Sequence, residues 1–302
     1  MNTPPPPTGF DTRQLRRAFG RAASRYQTAA VLQHEVESRL LEQLDYLQAT
    51  PQRVVDLGAG PGNASRVMRQ RWPKAELLAL DMAVPMLREA GRDWRWYTPA
   101  RQRFDRVCAD ARALPLLDHS IDVVFSSLCL QWVEDLPSVL DGLRRVLRPG
   151  GLLLFSTFGP ASLQELREAF AAVDGEPHVS GFAPIQHVGD AMMSAGFRNP
   201  VLDSDRFELT YPDVPALMHE LRAIGAANAQ QDRRRTLTGK RRMQRVFEAY
   251  PANADARYSA TYEVIYAHAW GPEPGQPMRL QGGGEVASFP AGRIPIRRRG
   301  PV

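Results

Sequence analysis

The sequence predicts an α/β protein built on a doubly wound, mostly parallel sheet of seven strands. Between about residues 50 and 158, short apolar runs typical of buried strands alternate with helical segments through short connections. Such alternation produces parallel strands whose two faces are covered by helices. Beyond residue 200, two strand-like runs flank a helical insertion of about 45 residues. Those runs predict an antiparallel C-terminal hairpin that completes the sheet.

Two helices are predicted before the first strand. The first carries an apolar stripe with helical spacing, formed by Phe19, Ala22, Ala23 and Tyr26. The second is predicted over about 31–48 and directs Val31 and several leucines toward a core. Pro51 separates it from the first strand, because proline disfavours the helical conformation of the residue before it.

The remaining elements follow in order along the chain. Strands are predicted near 53–57, 75–80, 104–108, 121–126, 151–158, 207–210 and 261–268, and helices near 63–71, 83–92, 135–147, 162–173 and 184–195. We expect one domain over residues 10–270 that includes the helical insertion at about 211–258. A Pro-rich lead (1–9) and a Gly/Pro/Arg-rich tail (271–302) are predicted to be disordered, because they carry too little apolar surface to offset the entropy of ordering.

Composition favours a globular protein and argues against membrane or metal-dependent classes. The hydrophobic fraction of 43% is ample for a core, and the net charge of +5 arises mainly in the tail and in residues 230–247. No apolar run reaches the ~18 residues that span a bilayer, and the first residues lack signal-peptide features. We therefore expect a cytoplasmic protein without membrane contact. Cys108 and Cys129 are expected to be small buried side chains, with no metal site.

A glycine-rich turn follows the first predicted strand, in the run Asp56-Leu57-Gly58-Ala59-Gly60-Pro61-Gly62. Glycine permits positive φ and lets a ligand approach the backbone closely. Dinucleotide-binding turns read G-x-G-x-x-G and direct a helix N-terminus at a pyrophosphate. Here Asp56 stands where a diphosphate would be repelled. The turn therefore predicts a nucleoside-like cofactor that is neutral or cationic at this end.

Two further acids follow the next two predicted strands. Asp81 ends the second strand, where doubly wound folds place the carboxylate that binds a ribose diol. Asp110 follows the third strand and could accept a hydrogen bond from an adenine amino group. Each acid alone is as readily explained as a helix N-cap, and the glycines alone as a tight turn. Together with Asp56, they predict a pocket for a cationic adenosine derivative.

These motifs resemble those of the class I S-adenosylmethionine-dependent methyltransferases over roughly residues 50–158. The resemblance implies a Rossmann-like fold with S-adenosylmethionine as cofactor. In that family's pattern Asp56 and the Gly58–Gly62 turn hold the methionine end, Asp81 the ribose and Asp110 the adenine. The cofactor-binding residues expected on this basis are Asp56, Gly58, Ala59, Gly60, Gly62, Asp81, Met82, Asp110, Ala111 and Ser127.

Other segments are similar to one family within that superfamily, the malonyl-acyl-carrier-protein O-methyltransferases of biotin synthesis. They are residues 21–26, 130–133, 156–166, 221–228, 237–240 and 261–270. The resemblance implies a carboxyl O-methyltransferase that acts on the free carboxylate of a malonyl thioester. The acceptor would be carried by acyl carrier protein or coenzyme A, and its methyl ester would then be elongated toward a pimeloyl chain. We expect the enzyme to be a monomer.

The chemistry that this implies needs no general base, and the sequence offers no evident one. A carboxyl with a reference pKa near 4 is ionised at pH 7, so alignment and desolvation can supply the catalysis. A neutral donor suits the carboxylate, because its charge disappears in the transition state. Tyr26, carried over from the family's N-terminal motif, is the catalytic candidate, the alternative being a core tyrosine. Gln131, Trp132 and Phe158 are candidate substrate contacts, although Trp132 could equally be a packing residue.

A basic cluster within the insertion is a candidate docking surface. Acyl carrier proteins are acidic, so cations beside the pocket would steer them to it. The alternative is a solvated helix face. The candidate residues are Arg233, Arg234, Lys240, Arg241, Arg242 and Arg245.

Two other functions remain open from the sequence. One is carboxyl methylation of another small acid such as trans-aconitate, which would require several cations in the pocket. The other, from a different class, is a nucleic-acid-binding module, but RNA readers interleave aromatic with basic residues. Residues 233–245 contain no aromatic residue. We therefore expect no nucleic-acid partner.

Overall fold

The computed structural model of the chain describes residues 9–46, 50–99, 102–234, 236, 238–273, 277–279 and 285–287. The predictions of disorder for the lead and the tail fall mostly outside these ranges. Within the tail, β8 (Pro277–Arg279) pairs with β9 (Glu285–Ala287) in a separate two-stranded sheet. None of the helices in the described ranges is long and apolar enough to cross a membrane.

Seven strands form the main sheet, and their arrangement confirms the predicted fold class. The strands are β1 (Arg53–Leu57), β2 (Glu76–Asp81), β3 (Asp105–Cys108), β4 (Ile121–Ser126), β5 (Leu147–Phe158), β6 (Arg198–Tyr211) and β7 (Tyr258–Trp270). Their spatial order is β3-β2-β1-β4-β5-β7-β6. Strands β1 to β5 are parallel, whereas β7 runs antiparallel to both β5 and β6. The order reverses between β1 and β4, and open α/β sheets bind ligands at such a switch point.

Helices cover both faces of the sheet and bury a core on each. They are α1 (Thr12–Ala29), α2 (Val31–Glu42), α3 (Asn63–Arg71), α4 (Val84–Ala90), α5 (Leu136–Val146), α6 (Gln164–Ala171), α7 (Ile185–Ser194), α8 (Val214–Ala223) and α9 (Lys240–Ala249). One core joins residues of α2, α3, α6, α8 and α9 to one face, while α5 and α7 pack on the other. Because of this two-sided covering, β1 and β4 and the second half of β5 are buried almost continuously.

Helix α1 lies over the end of the sheet rather than on a face. Its N-cap is Asp11, whose Oδ1 accepts a hydrogen bond from the Gln14 backbone N–H at 3.0 Å. The predicted stripe is present, since Ala22 and Ala23 are buried against α4, with Phe19 and Tyr26 packed beside them. The following helix, α2, ends earlier than predicted and continues as a 3₁₀ turn over Gln43–Tyr46.

Three local expectations were wrong. Val31 is 63% exposed, because it stands at the first position of α2 and faces away from the core. Cys108 is exposed because it ends β3, which lies at the edge of the sheet, whereas Cys129 is half-buried. Strand β6 begins nine residues before the predicted run at Phe207. Its first half is polar and contains Pro200, which an edge strand with one free side tolerates.

Candidate functional site

Two cavities adjoin at the carboxyl ends of the parallel strands. The strand-end cavity, of about 740 Å³, is lined by the turn after β1 and by the ends of β2, β3 and β4. The insertion cavity, of about 770 Å³, lies between α1, residues 178–182, residues 221–228 and the end of β5. The common wall of the two cavities is formed by Phe19, Tyr26, Leu128 and Trp132.

The glycine turn forms the floor of the strand-end cavity. The backbone N–H groups of Gly58 and Ala59 donate to the Leu80 carbonyl at 2.8 and 3.0 Å, which fixes the turn against β2. A Cβ added to Gly58 would lie 2.5 Å from Cys129, so this position is filled by its neighbour. Gly60 differs: it lines the cavity, and a Cβ added there would meet nothing within 4 Å. The space above Gly60 is therefore open to the cavity.

Asp81 lines the cavity at the end of β2 and is anchored by the backbone. Its Oδ2 accepts from the Gly60 N–H at 2.9 Å and its Oδ1 from the Ala83 N–H at 2.7 Å. Burial raises the pKa of Asp81 to about 6, and these two N–H groups oppose the rise. At neutral pH the carboxylate is mostly ionised, and its remaining lone pairs can accept from a vicinal diol.

Asp56 is placed behind the cavity rather than in its wall. It is 2% exposed, and its Oδ2 accepts a hydrogen bond from the Ser65 hydroxyl. Burial raises the pKa of Asp56 to about 7, although the hydrogen bond from Ser65 opposes this rise. Nearby Glu37, which the sequence did not single out, has its pKa raised to about 8 by burial and then by the charge of Asp56. The turn is therefore backed by acids that are only partly ionised at neutral pH.

Two other predicted cofactor residues also support the cavity from behind. Ala59 is part of the buried core. Gly62 is the N-cap of α3 with φ +78°, and a Cβ there would lie 2.9 Å from the Ala90 Cβ. Its role in the structure is close packing of helices.

Asp110 lines the cavity beyond β3, but its carboxylate is already paired. Arg112 donates to it through Nε at 3.0 Å and Nη2 at 2.7 Å, and Arg16 lies at 3.7 Å. The hydrogen bond from Arg112 lowers the pKa of Asp110. An adenine amino group at this point would compete with Arg112 for the Asp110 carboxylate. Arg112 also lines the cavity and was not predicted from the sequence. Three other residues that were predicted to bind the cofactor also line this cavity, namely Met82, Ala111 and Ser127.

Tyr26 lies on the wall that separates the two cavities. Its hydroxyl has no hydrogen-bond partner in the part of the chain that the structure describes. Burial, and then the charges of Glu37, Asp81 and Cys129, raise the pKa of this phenol, so it remains a protonated donor. Trp132 packs edge-on against Phe10 and Phe19, with ring centroids 5.9 and 5.4 Å apart, and therefore both packs and lines the site.

The insertion cavity is largely apolar and aromatic. Phe158 lies 5.5 Å from Phe182 and 5.8 Å from Tyr262, measured between ring centroids. Among its described lining residues there is no arginine or lysine, and the polar ones are Tyr26, Gln33, Gln131, His178, Ser180, Asn228 and Tyr262. Gln131 donates through Nε2 to the Leu128 carbonyl at 2.7 Å, which leaves its second amide hydrogen available.

Several residues of this cavity were not predicted from the sequence. Leu221, Ile224, Ala226, Ala227 and Asn228 lie in a segment that the resemblance had singled out, and that was the available signal. Residues 178–182 gave no signal in the sequence, because they form an irregular connection whose position depends on packing.

The basic cluster divides into paired and free cations. Arg233 donates to the Gln230 carbonyl at 2.7 Å and to Asp11 at 3.0 Å, so it ties the start of α1 to the insertion. Arg242 pairs with Asp174 at 3.4 Å, and Arg234 donates to Thr236. Lys240, Arg241 and Arg245 are exposed and have no ion-pair partner within the described ranges.

Comparisons with known proteins agree with this geometry. Residues 55–155 match a family described as a methyltransferase domain. The YcgJ protein of Bacillus subtilis has a similar fold, with a TM-score of 0.55 at 15% identity, over 80% of this chain and 99% of that one. The predicted S-adenosylmethionine-dependent methyltransferase, with S-adenosylmethionine as its cofactor, is thereby confirmed.

Two curated relatives cover nearly the whole chain. The malonyl-[acyl-carrier protein] O-methyltransferase of Xylella fastidiosa is 55% identical over 96% of this chain and 98% of its own length. The protein of the same name from Halorhodospira halophila is 46% identical over 96% and 97%. This chain therefore belongs to the malonyl-[acyl-carrier protein] O-methyltransferase family.

Proposed function

We propose that this chain transfers the methyl group of S-adenosylmethionine to the free carboxylate of a malonyl group carried by acyl carrier protein. The product is a methyl ester that primes pimeloyl synthesis for biotin. Coenzyme A thioester is an alternative acceptor. The proposal includes a cytoplasmic monomer without nucleic-acid or membrane partners.

The observation that carries the proposal is the shared wall between two differently built cavities. The strand-end cavity combines a glycine floor with Asp81, which suits a nucleoside with a free ribose diol. The insertion cavity is apolar and lacks lysine and arginine among its described lining residues. A single carboxylate on a long neutral arm suits such a cavity.

The bound cofactor supplies a methyl group on a sulfonium, which is already electrophilic. Gly58 and Gly60 would hold its methionine end, Asp81 its ribose, and the wall with Asp110 and Ala111 beyond β3 its base. The open space above Gly60 supports this fit. What remains for the protein is to align the acceptor and exclude water, and proximity alone is worth up to about 7–11 kcal/mol.

Tyr26 is the proposed catalytic residue. Its free hydroxyl on the shared wall can donate to the acceptor carboxylate from the side of the insertion cavity. A neutral donor orients the carboxylate without stabilising its charge as strongly as an arginine would. Gln131 can donate its second amide hydrogen to the same group, while Trp132 and Phe158 exclude water.

A purified-protein assay tests the function. With labelled S-adenosylmethionine, malonyl-acyl carrier protein should be methylated, and the succinyl thioester and trans-aconitate should not. Methylation of trans-aconitate in preference to the malonyl thioester would refute the proposed acceptor. The absence of cations from the described wall of the insertion cavity favours the malonyl acceptor.

The exposed cations of α9 are proposed to dock the carrier protein. Arg242 holds α9 to Asp174, so the free charges of that helix are Lys240, Arg241 and Arg245. Reversing Arg241 and Arg245 to Glu should raise KM for malonyl-acyl carrier protein about tenfold at low salt, and spare malonyl coenzyme A.

The matched control is the pair Lys74→Glu and Arg88→Glu, which makes the same charge change at two other exposed positions. Equal losses with both acceptors, or the same loss in the control, would exclude α9 as the docking surface.

A further inference from the structure

His178 presents an unused hydrogen-bond acceptor at the insertion cavity. It lies in the connection between α6 and α7, and its ring stacks on Phe170 with centroids 3.9 Å apart and planes 15° from parallel. Its Nε2 lies 2.8 Å from Asp174 Oδ1. Because a carboxylate only accepts, Nε2 carries the hydrogen, and in the uncharged form of the ring Nδ1 has a lone pair that can accept a hydrogen bond.

The imidazole is held rigidly while Nδ1 remains without a partner. The stacking fixes the plane of the ring, and the bond to Asp174 fixes its rotation. Asp174 is itself held, since it accepts from the Glu176 N–H at 3.2 Å and faces Arg242 at 3.4 Å. No hydrogen bond to Nδ1 occurs among the described residues. A fixed acceptor that no protein group occupies is available to a ligand with a hydrogen-bond donor.

The proposed acceptor substrate offers few donors to such a group. A malonyl carboxylate and a thioester carbonyl only accept hydrogen bonds. Along the pantetheine arm, the first donor is the amide N–H that lies two methylene groups beyond the sulfur. His178 Nδ1 would repel the reacting end of the substrate and would complement this amide.

We propose that His178 is a positioning residue whose Nδ1 accepts a hydrogen bond from the first amide N–H of the pantetheine arm. This inference depends on the proposed function. This hydrogen bond would fix the position of the thioester in the cavity, so the length of the acyl chain would determine where its carboxylate lies. A malonyl carboxylate then reaches the wall at Tyr26, whereas a succinyl chain, longer by one methylene, misplaces its carboxylate. His178 has no proton to remove, since the acceptor carboxylate is already ionised at neutral pH.

The test compares two small malonyl thioesters that differ at one atom. One is the S-(2-acetamidoethyl) thioester, which contains the amide, and the other is its S-(2-acetoxyethyl) analogue, in which oxygen replaces N–H. The wild-type enzyme should show kcat/KM about tenfold higher for the amide, because the ester leaves the acceptor unpaired. His178→Phe, which keeps a ring to stack on Phe170, should lower the amide substrate to the level of the ester.

The matched control is His268→Phe, the same substitution on β7 outside both cavities. It should preserve the tenfold ratio, and both variants should bind S-adenosylmethionine as the wild type does, which shows that they are folded. Equal kcat/KM for the two thioesters in the wild type would overturn the proposal for His178 alone. So would an equal loss on both in His178→Phe, or an unchanged ratio. Failure of every malonyl thioester, including malonyl-acyl carrier protein, would instead reject the function itself.

Discussion

The two cavities share one wall but are built in different ways. The strand-end cavity is made mostly by backbone and strand ends between Leu57 and Val133, and the switch in strand order fixes its place. The insertion cavity collects side chains from segments as distant as Phe19 and Tyr262. The proposed donor site thus follows from the topology of the sheet, whereas the proposed acceptor site follows from how the insertion packs. On these assignments, changes in the insertion would alter the acceptor and retain the donor site.

The largest effect on cofactor binding is expected from replacing Gly58, whose positive φ shapes the turn at the floor of the strand-end cavity. Gly58 has φ +74°, and a Cβ there would lie 2.5 Å from Cys129. In Gly58→Ala, the left-handed conformation costs about 1–2 kcal/mol and the overpacking about 1–3 kcal/mol. S-adenosylmethionine binding measured by calorimetry should weaken about 100-fold.

The control for this variant is Gly142→Ala in α5, where a Cβ would meet nothing within 4 Å. It should leave cofactor binding unchanged and stabilise the helix by about 0.5–1 kcal/mol. Unchanged binding in Gly58→Ala would mean that the turn does not form the floor of the donor site.

The same contrast explains what the sequence could predict. The limits of β1, β4 and α3 agree with the predicted ranges, because each is a short element with a clear apolar period and a distinct boundary. The positions of Asp81 and Gly60 followed from their order after predicted strands. Asp56 shows the limit of this reasoning, since it lies next to the end of the correct strand but is buried behind the turn. Sequence order specifies the strand end, not the direction in which a side chain points.

The insertion cavity was predictable only through resemblance. His178 and Phe182 lie in an irregular connection without periodicity, and their place depends on stacking and on the pair between Asp174 and Arg242. Arg242 illustrates the same limit. The sequence placed it in the docking surface for the carrier protein, but in the structure it pairs with Asp174. Long-range packing of this kind leaves no local pattern in the chain.

A smaller effect is expected from the wall between the cavities. Tyr26→Phe removes only the hydroxyl, and a hydrogen bond to a charged group contributes about 1.5–3 kcal/mol. If Tyr26 orients the acceptor, kcat/KM for malonyl-acyl carrier protein should fall about 10- to 100-fold, with little change in S-adenosylmethionine binding. Tyr250→Phe is the control, since its hydroxyl donates to the Ser259 carbonyl away from both cavities. An unchanged kcat/KM in Tyr26→Phe would show that the hydroxyl does not orient the acceptor and that Tyr26 is a core residue.

The smallest effect concerns the charge of the donor site. Burial holds the pKa of Asp81 at about 6, above the ordinary value of 3.8, so its carboxylate is lost as pH falls through about 6. Ribose hydroxyls donate to the ionised form, and binding should therefore weaken about tenfold between pH 7 and pH 5, as one pKa unit corresponds to about 1.4 kcal/mol. Titration calorimetry on Asp81→Asn should show weaker binding at pH 7 and a much flatter pH profile. If that variant kept the full wild-type slope, Asp56, whose pKa of about 7 lies in the same interval, would be the titrating group. The charge would then act from behind the turn, and the wall of the strand-end cavity would bind its ligand through backbone and shape alone.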